Sequence, residues 1–168
     1  AQRKMMSKAE ASFAAAINKD PENIRSYLIA ARFYDFSGNP QEALELYNRA
    51  LERQPDDIRI KNTIAGFHLK QRETDKADTI IAEILDERPN YFPARLLKAE
   101  LLTQTRQFDR AIETLGQLVK EEPGSIRAHY NLGLAYYGKG DSNMAKSSLT
   151  KALEANPKFV QAKLLMAE

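Results

Sequence analysis

The segment nearest to a catalytic motif runs from Gly133 to Lys139 and has the spacing G-x-x-x-x-G-K. In a phosphate-binding loop of this spacing, backbone N–H groups hold the phosphates, and a Ser or Thr after the lysine holds magnesium. Here Gly140 follows Lys139, so the magnesium ligand is missing. A β-strand should precede such a loop, whereas these residues continue a helical pattern. The sequence therefore predicts a helix here and no nucleotide site.

The residue types that usually carry metal or covalent chemistry are scarce. The chain has no cysteine, which excludes thiolate metal sites and thiol nucleophiles. It has two histidines, His68 and His129, and neither begins an H-x-x-x-H or H-x-x-E pattern. Carboxylates alternate with lysines and arginines, a pattern typical of a solvated helix surface. We expect no catalytic residue, no cofactor and no metal site, and we predict that the chain is not an enzyme.

Composition limits the partner classes further. In 168 residues the chain has 25 Lys and Arg against 23 Asp and Glu, a formal net charge of +2. A nucleic-acid-binding domain usually has a much larger basic excess, so we expect no nucleic-acid partner. No stretch approaches the ~20 apolar residues of a membrane helix, and we expect no membrane span in this chain. The compartment stays open, because this composition fits the cytoplasm and the periplasm or envelope equally well.

The elements that position these residues come from an internal repeat. Five of the seven prolines are spaced 34 residues apart, at positions 21, 55, 89, 123 and 157. Small residues keep the same step in one column, which contains Ala9, Ala43, Ala77, Ala111 and Ala145. A second small column contains Ala31, Ala65, Ala99, Gly133 and Ala167. Such columns indicate one structural unit used several times.

Each unit has the apolar periodicity of two helices. A glycine-containing break separates helix A from helix B, and a proline ends helix B. We predict four full units, 24–57, 58–91, 92–125 and 126–159, with partial units at 1–23 and 160–168. The array of residues 1–168 should contain at least nine helices and a short tenth one. His68 shares its column with Tyr34 and should pack, whereas the column of His129 and Tyr27 should face solvent.

The repeat resembles the tetratricopeptide repeat (TPR). The best-matching stretch, residues 131–157, is NLGLAYYGKGDSNMAKSSLTKALEANP. Residues 58–91 depart from the family pattern, with His68 in place of an aromatic residue and Arg72 in place of glycine. The resemblance implies an all-α fold, an α-α superhelix or TPR solenoid. The half repeats at both ends suggest a fragment of a longer array, and its style is typical of bacterial members.

In this family, helix A lines a concave groove that binds a peptide or a helix of a partner. Carried over by repeat position, the groove candidates are Arg25, Leu28, Arg32, Phe36, Arg59, Asn62, Leu69, Lys70, Leu96, Arg127, Tyr130, Asn131 and Tyr137. Arg25, Arg59 and Arg127 recur at the same place in their units. They either contact an acidic partner or pair with turn carboxylates such as Asp56.

The resemblance implies a non-enzymatic scaffold that binds a peptide or partner protein through the groove, and a partly acidic partner is one option. Two other functions stay open. The chain could self-associate into a homo-oligomer through its exposed array ends, or it could be an accessory domain of a larger enzyme or of an envelope or export complex.

Overall fold

A computed structural model describes residues 2–167, and this part of the chain consists of helices and turns without a strand. The helices are α1 (Gln2–Lys19), α2 (Ile24–Phe36), α3 (Pro40–Arg53), α4 (Ile58–Lys70), α5 (Thr74–Glu87), α6 (Phe92–Gln104), α7 (Phe108–Glu121), α8 (Ile126–Lys139), α9 (Ser142–Ala155) and α10 (Val160–Ala167). Helices α2, α4, α6, α8 and α10 begin 34 residues apart. The predicted all-α class and the helix-turn-helix period are confirmed.

The chain divides into two compact units, residues 1–67 and 68–168, and each is described by itself. The first contains α1, α2, α3 and most of α4, and the second contains the end of α4 and α5–α10. In the second unit each helix from α5 to α10 packs on the next one along the chain. The single array of residues 1–168 stays a prediction, and its first and last residues lie outside the described part.

Local polar groups and prolines determine where the helices begin. The Ser125 hydroxyl accepts a hydrogen bond from the Ala128 amide at 3.4 Å, and the Asp141 carboxylate accepts one from the Met144 amide at 3.1 Å. Asp57 accepts from the Arg59 amide at 2.8 Å. These bonds satisfy amides that have no partner within the helix. Asn23, the N-cap residue of α2, makes no such side-chain bond.

A left-handed residue terminates helix A in each of the four A–B turns. Glycine occupies this place twice, with φ of 81° at Gly38 and 88° at Gly140. Arginine occupies it in the other two turns, with φ of 63° at Arg72 and 62° at Arg106. The left-handed conformation costs a residue with a Cβ more than it costs glycine. The turn geometry is therefore kept even where the residue is unfavourable for it.

The small columns lie where helices cross closely. Ala43, Ala77 and Ala111 have no exposed surface, and Ala31 and Ala99 are equally buried. A Cβ built on Gly133 would lie 2.7 Å from the Leu149 Cγ atom of the facing helix. Two helix backbones can approach this closely only where one side chain is absent or very small.

The column of Tyr27 and His129 connects helices instead of facing solvent, so that prediction was wrong. Tyr27 is fully buried, its hydroxyl donates to the Pro21 carbonyl at 3.0 Å, and the Arg53 guanidinium lies 4.5 Å from its ring centroid. The His129 Nε2 atom is 3.0 Å from the Pro123 carbonyl oxygen, the equivalent contact three repeats later. Tyr27 thus reaches back to the preceding turn and forward to α3, which removes it from water, and His129 is partly buried.

Candidate functional site

A cleft in the second unit has a volume of about 800 Å³. Helix α6 contributes Glu100, Thr103 and Gln104 to its lining, and α8 contributes Arg127, Tyr130, Asn131 and Leu134. The remaining lining includes Lys70 at the end of α4 and Phe159 just before α10. Every helix in this lining is a helix A of the repeat.

Helical spacing brings the lining residues of α8 onto one face. Positions 127, 130, 131 and 134 follow the three- and four-residue steps that make one stripe on a helix. The intervening residues Ala128, Leu132 and Ala135 face the other way and belong to the hydrophobic core, where they meet Leu115 and Leu118 of α7. The same helix therefore packs with one face and lines the cleft with the other.

A charged network crosses the cleft between α6 and α8. The Arg127 guanidinium donates to both oxygens of Glu100, from Nε at 2.7 Å and from Nη2 at 2.8 Å. The Asn131 side-chain amide also donates to Glu100, at 2.5 Å. A two-point arginine–carboxylate contact fixes the relative orientation of the two side chains. The charge of Arg127 is thus compensated within the unit.

Aromatic residues form the apolar part of the cleft. The rings of Tyr130 and Phe159 meet edge to face with centroids 5.0 Å apart. Both rings are partly exposed, and Ile126 and Leu134 lie in the same lining. A partly exposed aromatic pair can pack against an apolar side chain of a ligand. Tyr130 and Phe159 therefore form the main apolar anchor site in this cleft.

Two buried side-chain oxygens have no hydrogen-bond partner among the described residues. They are Oε1 of Gln104, in the cleft of the second unit, and Oδ1 of Asn62, in the first unit. The Gln104 Nε2 atom donates a long hydrogen bond of 3.4 Å to the Leu69 carbonyl, which fixes the orientation of the amide. A buried acceptor without a donor is rare in folded proteins, and each case needs an explanation.

The predicted groove residues of the second unit separate into three groups. Lys70, Arg127, Tyr130 and Asn131 line the cleft. Tyr137 instead borders a separate depression of about 220 Å³ beside Leu165 and Met166. The third group consists of two buried leucines.

These leucines, Leu69 and Leu96, are only 2% and 4% exposed, so little of their surface is available to a ligand, and their place in the groove stays a prediction. Leu96 belongs to the hydrophobic core that includes Leu115 and Leu132. Core packing thus covers Leu96, although its repeat position belongs to the family's groove set.

The predicted groove residues of the first unit lie mostly on α2. Arg25 and Arg32 are exposed, Leu28 is partly buried, and Phe36 is 92% exposed at the end of the helix. Asn62 is partly buried on α4.

Arg59 forms an ion pair with the turn carboxylate Asp57, with Nη2 and Oδ2 2.6 Å apart. Hydrogen bonds from Arg59 hold the pKa of Asp57 below its ordinary value. This agrees with the alternative in which the recurring arginines pair with turn carboxylates. The carboxylate that pairs with Arg59 is Asp57 and not the predicted Asp56.

A smaller cavity of about 260 Å³ lies within the first unit between α1, α2 and α3. Its lining combines the carboxylates of Glu10, Glu42 and Glu45 with apolar residues such as Phe13. Burial, followed by the charges of Glu10 and Glu42, raises the pKa of Tyr34 at its edge. The sequence analysis missed this cavity, because it depends on the packing of three helices.

The residues considered for chemistry are explained by packing. Gly133 through Lys139 lie inside α8, and a Cβ on Gly138 would clash with the ring of Phe108. His68 is buried as predicted, and its Nδ1 donates to Glu73 Oε2 at 2.5 Å. Hydrogen bonds from Lys76 and then from His68 lower the pKa of Glu73.

The described part of the chain has neither a cluster of metal ligands nor a helix suited to a membrane. No group of three or more His, Cys, Asp or Glu side chains is placed to hold a metal ion there. Within the same residues, no helix combines the length and apolar character that crossing a bilayer demands.

Glu100, Gln104 and Phe159 are site residues that the sequence prediction did not select. Glu100 and Gln104 do occupy groove positions of the repeat, so the repeat alignment places them on the groove face although they are not among the selected candidates. Phe159 lies in the turn before α10, outside those positions, and only its contact with Tyr130 reveals it.

Family models match most of the sequence. Residues 1–66 and 68–135 match a model described as tetratricopeptide repeat, and residues 126–159 match a second model of the same description. A curated relative, the BBSome complex member BBS4 homolog of Drosophila melanogaster, is 28% identical over 135 residues, which are 80% of this chain. The chain spans only 28% and 34% of the lengths of the first two curated relatives.

Solved structures share the fold. A structure of PilW, described as a type IV pilus biogenesis factor, has a TM-score of 0.79 at 22% identity, covering 98% of this chain and 76% of that one. A thermophilic TPR protein of Thermus thermophilus has a TM-score of 0.77 at 20% identity, covering 86% of this chain and 79% of that one. The predicted solenoid fold class is thereby confirmed.

Proposed function

The chain belongs to the tetratricopeptide repeat family, and from this premise we propose that it is a non-enzymatic scaffold that binds a peptide or partner-protein segment in the cleft of its second unit. Proteins of this family are generally protein-interaction scaffolds that bind protein or peptide partners, and the fold is typically non-enzymatic. The proposal for this chain depends on its own cleft residues.

The observation that carries the proposal is the chemistry of the cleft lining. An aromatic pair, Tyr130 and Phe159, lies beside the amide side chains of Gln104 and Asn131 in a cleft of about 800 Å³. Ligand sites typically combine such apolar surface with a few convergent polar groups. Amide side chains both donate and accept hydrogen bonds, as the peptide main chain does, so they suit a peptide ligand.

A selection experiment tests the proposal directly. The chain is immobilised and exposed to a phage library of random linear peptides, and bound phage are counter-selected on the Tyr130→Ala variant. We expect peptides that bind the original chain and lose about tenfold or more in affinity on the variant, because aromatic residues dominate such interfaces. Met144→Ala is the control, since Met144 is an exposed apolar residue of the same unit outside the cleft.

Selected peptides that bind the Tyr130→Ala variant and the original chain with equal affinity would place the binding surface elsewhere. Circular dichroism and a melting curve of the variant separate loss of binding from loss of folding. Tyr130 contacts Phe159 near α10, so we expect its replacement to leave the helix content unchanged.

The acidic character of the partner is a separate part of the proposal. Glu100 already pairs with Arg127, and Asp57 already pairs with Arg59, which reduces the positive charge available to a ligand. Exposed Arg25 and Arg32 of the first unit are the remaining support for an acidic partner. If a partner is acidic, its association rate should fall as salt rises.

Self-association is a second candidate function, supported by exposed apolar side chains near α10. Val160 is 59% exposed and Leu164 is 63% exposed. Sedimentation velocity over a wide range of concentration should then show a mass increase that Leu164→Glu abolishes. A constant monomer mass would eliminate this candidate.

A further inference from the structure

The cavity of the first unit combines apolar walls with an excess of negative charge. It lies between α1, α2 and α3 and has a volume of about 260 Å³. Three carboxylates line it, Glu10 from α1 and the pair Glu42 and Glu45 from α3. Arg49 is also in the lining, so three carboxylates against one guanidinium give it a formal charge of −2. The apolar part of the lining consists of Phe13, Ala14, Ile17, Ala30 and Leu46.

This cavity lies on the side of α2 that faces away from the predicted groove residues. Helix α2 contributes Ala30 and Tyr34 to the lining. Each of them is two positions after a groove candidate, Leu28 or Arg32, and two positions correspond to a rotation of about 200° around a helix. A ligand in the cavity would therefore contact the helix-B surfaces of α1 and α3 and not the groove face of α2.

The three carboxylates are not neutralised by one another's neighbours. In the part of the chain that the structure describes, Glu10, Glu42 and Glu45 form no ion pair. Glu42 and Glu45 are three residues apart, so they share one face of α3, where like charges repel. After burial, the charges of Glu10 and Glu42 raise the pKa of Tyr34, so both carboxylates act on the same hydroxyl group. Negative charge therefore converges on the cavity from two helices.

The spacing of these carboxylates suits an extended cation. Among the described residues, no three acidic side chains are close enough together to hold a metal ion. A guanidinium group is larger and planar, and its five N–H donors can reach carboxylates on more than one side. It also stacks on aromatic rings, as Arg49 does in this unit, with its Cζ atom 5.0 Å from the ring centroid of Tyr27. Phe13 provides a partly exposed ring in the cavity lining.

The size of the cavity favours one long side chain. Pockets for small-molecule ligands typically have about 300–1,000 Å³, and this cavity lies below that range. The apolar residues Ile17 and Leu46 can pack against the methylene groups of an arginine while its charged end reaches the carboxylates. Arginine is also one of the residue types that dominate protein–protein interfaces.

We propose that the cavity between α1, α2 and α3 is a docking pocket for an arginine side chain of a partner protein, whose guanidinium group binds among Glu10, Glu42 and Glu45. This inference goes beyond the proposed function, because it assigns a second binding surface, on the first unit and away from the groove face. Neither surface needs the other, so the two proposals can fail separately.

The test is a peptide selection directed at this pocket. Phage with random linear peptides are selected on the original chain and counter-selected on the double variant Glu42→Gln/Glu45→Gln. We expect the selected peptides to share an arginine. Replacing it with citrulline, which is neutral and nearly the same shape, should weaken binding to the original chain about tenfold or more. Lysine at that position should weaken binding about threefold or more, since an ammonium group lacks the planar set of donors.

A double-mutant cycle then links the arginine to the carboxylates. On Glu42→Gln/Glu45→Gln, the citrulline replacement should change the affinity less than about threefold, because the charges that recognise the arginine are gone. The matched control is Glu52→Gln/Asp56→Asn, which makes the same change in net charge at exposed residues of the first unit outside the cavity. This control should preserve the affinity of the selected peptides within about threefold.

Folding of the pocket variant is checked separately. The melting temperature of Glu42→Gln/Glu45→Gln should stay constant or rise, because the substitution removes a repulsion between exposed like charges. A clear fall would show that these carboxylates stabilise the free protein, and it would overturn the inference. Tyr130→Ala, in the cleft of the second unit, should leave the affinity of these peptides unchanged.

The remaining outcomes are equally decisive. Equal affinities of the arginine and citrulline peptides, or of the arginine and lysine peptides, would overturn the assignment to a guanidinium group. Equal weakening by the control variant would show a general attraction between charges, with the same consequence. Failure to select any peptide that depends on Glu42 and Glu45 would overturn this inference and leave Tyr130-dependent binding intact. Failure to select Tyr130-dependent peptides would overturn the proposed function alone.

Discussion

Replacing Gly133 with alanine should destabilise the protein, although the same change is normally favourable inside a helix. Gly133 lies within α8, where it is buried against α9. A Cβ at this position would be 2.7 Å from Leu149 Cγ and 2.8 Å from Leu149 Cδ2. Leu149 is only 2% exposed, so its side chain has little room to move away.

The magnitude follows from two opposing effects. Glycine inside a helix is about 0.5–1 kcal/mol less favourable than alanine, so the substitution gains that amount from backbone entropy. Overpacking of a tight core typically costs about 1–3 kcal/mol. The clash should therefore equal or exceed the gain.

Gly116 provides a matched control in the same unit. It lies inside α7, and a Cβ built on it meets no atom within 4 Å. Gly116→Ala should have the favourable effect on backbone entropy without a clash, and it should raise the free energy of unfolding by about 0.5–1 kcal/mol. The difference between the two variants isolates the overpacking cost of about 1–3 kcal/mol.

Urea unfolding monitored by circular dichroism measures both variants against the original chain. For a protein of this size, each kcal/mol also shifts the melting temperature by roughly 2–4 °C. Equal stabilisation by Gly133→Ala and Gly116→Ala would refute the close crossing of α8 and α9. A double variant in which Leu149→Ala removes the clash should make the Gly133→Ala change favourable again.

Three other predictions concern packing, charge and ligand binding. Ala43→Leu should lower the midpoint of urea unfolding by more than Glu45→Leu does, since Ala43 is fully buried and Glu45 is exposed; equal midpoints would contradict the repeat alignment. Asp57→Asn should lower the melting temperature at pH 7, because Arg59 holds the pKa of the Asp57 carboxyl below its ordinary value in the folded protein. The ionised carboxyl therefore stabilises the fold at pH values above the ordinary pKa. This stabilisation is lost as the pH falls through the lower pKa of the folded state. The difference in melting temperature between Asp57→Asn and the original chain should therefore shrink at strongly acidic pH. A difference that does not change with pH would show that the ion pair is not its cause. Saturating ATP with magnesium should leave the melting temperature of the original chain unchanged, since residues 133–139 are helical, and a clear rise would reveal a nucleotide site.

Much of the fold was predictable because its signals are local. Prolines 34 residues apart exclude the helix from the same places in every repeat, and small residues keep one column for the crossings. Five helices, α2, α4, α6, α8 and α10, start at residues 24, 58, 92, 126 and 160, which are the first residues of the predicted repeats. A period of this kind needs no knowledge of the tertiary structure.

The site was predictable only in part, because its exposure depends on neighbouring repeats. Leu96 and Tyr130 hold the same repeat position, yet Leu96 is buried in the core and Tyr130 lines the cleft. Helical periodicity predicts the direction of a side chain relative to its own helix. It does not predict whether a neighbouring helix covers that side chain.

The polar contacts of the cleft were decided by tertiary structure alone. Glu100 and Arg127 are 27 residues apart, and only the packing of α6 beside α8 brings their charged groups to 2.7 Å. Gln104 Oε1 is likewise buried, and no residue that the structure describes donates to it. The sequence by itself determined the helices, their ends and their repeat, since these depend on interactions within a few residues. The tertiary structure decided which side chains remain available to a ligand, since burial and charge pairing are properties of surfaces that meet across repeats.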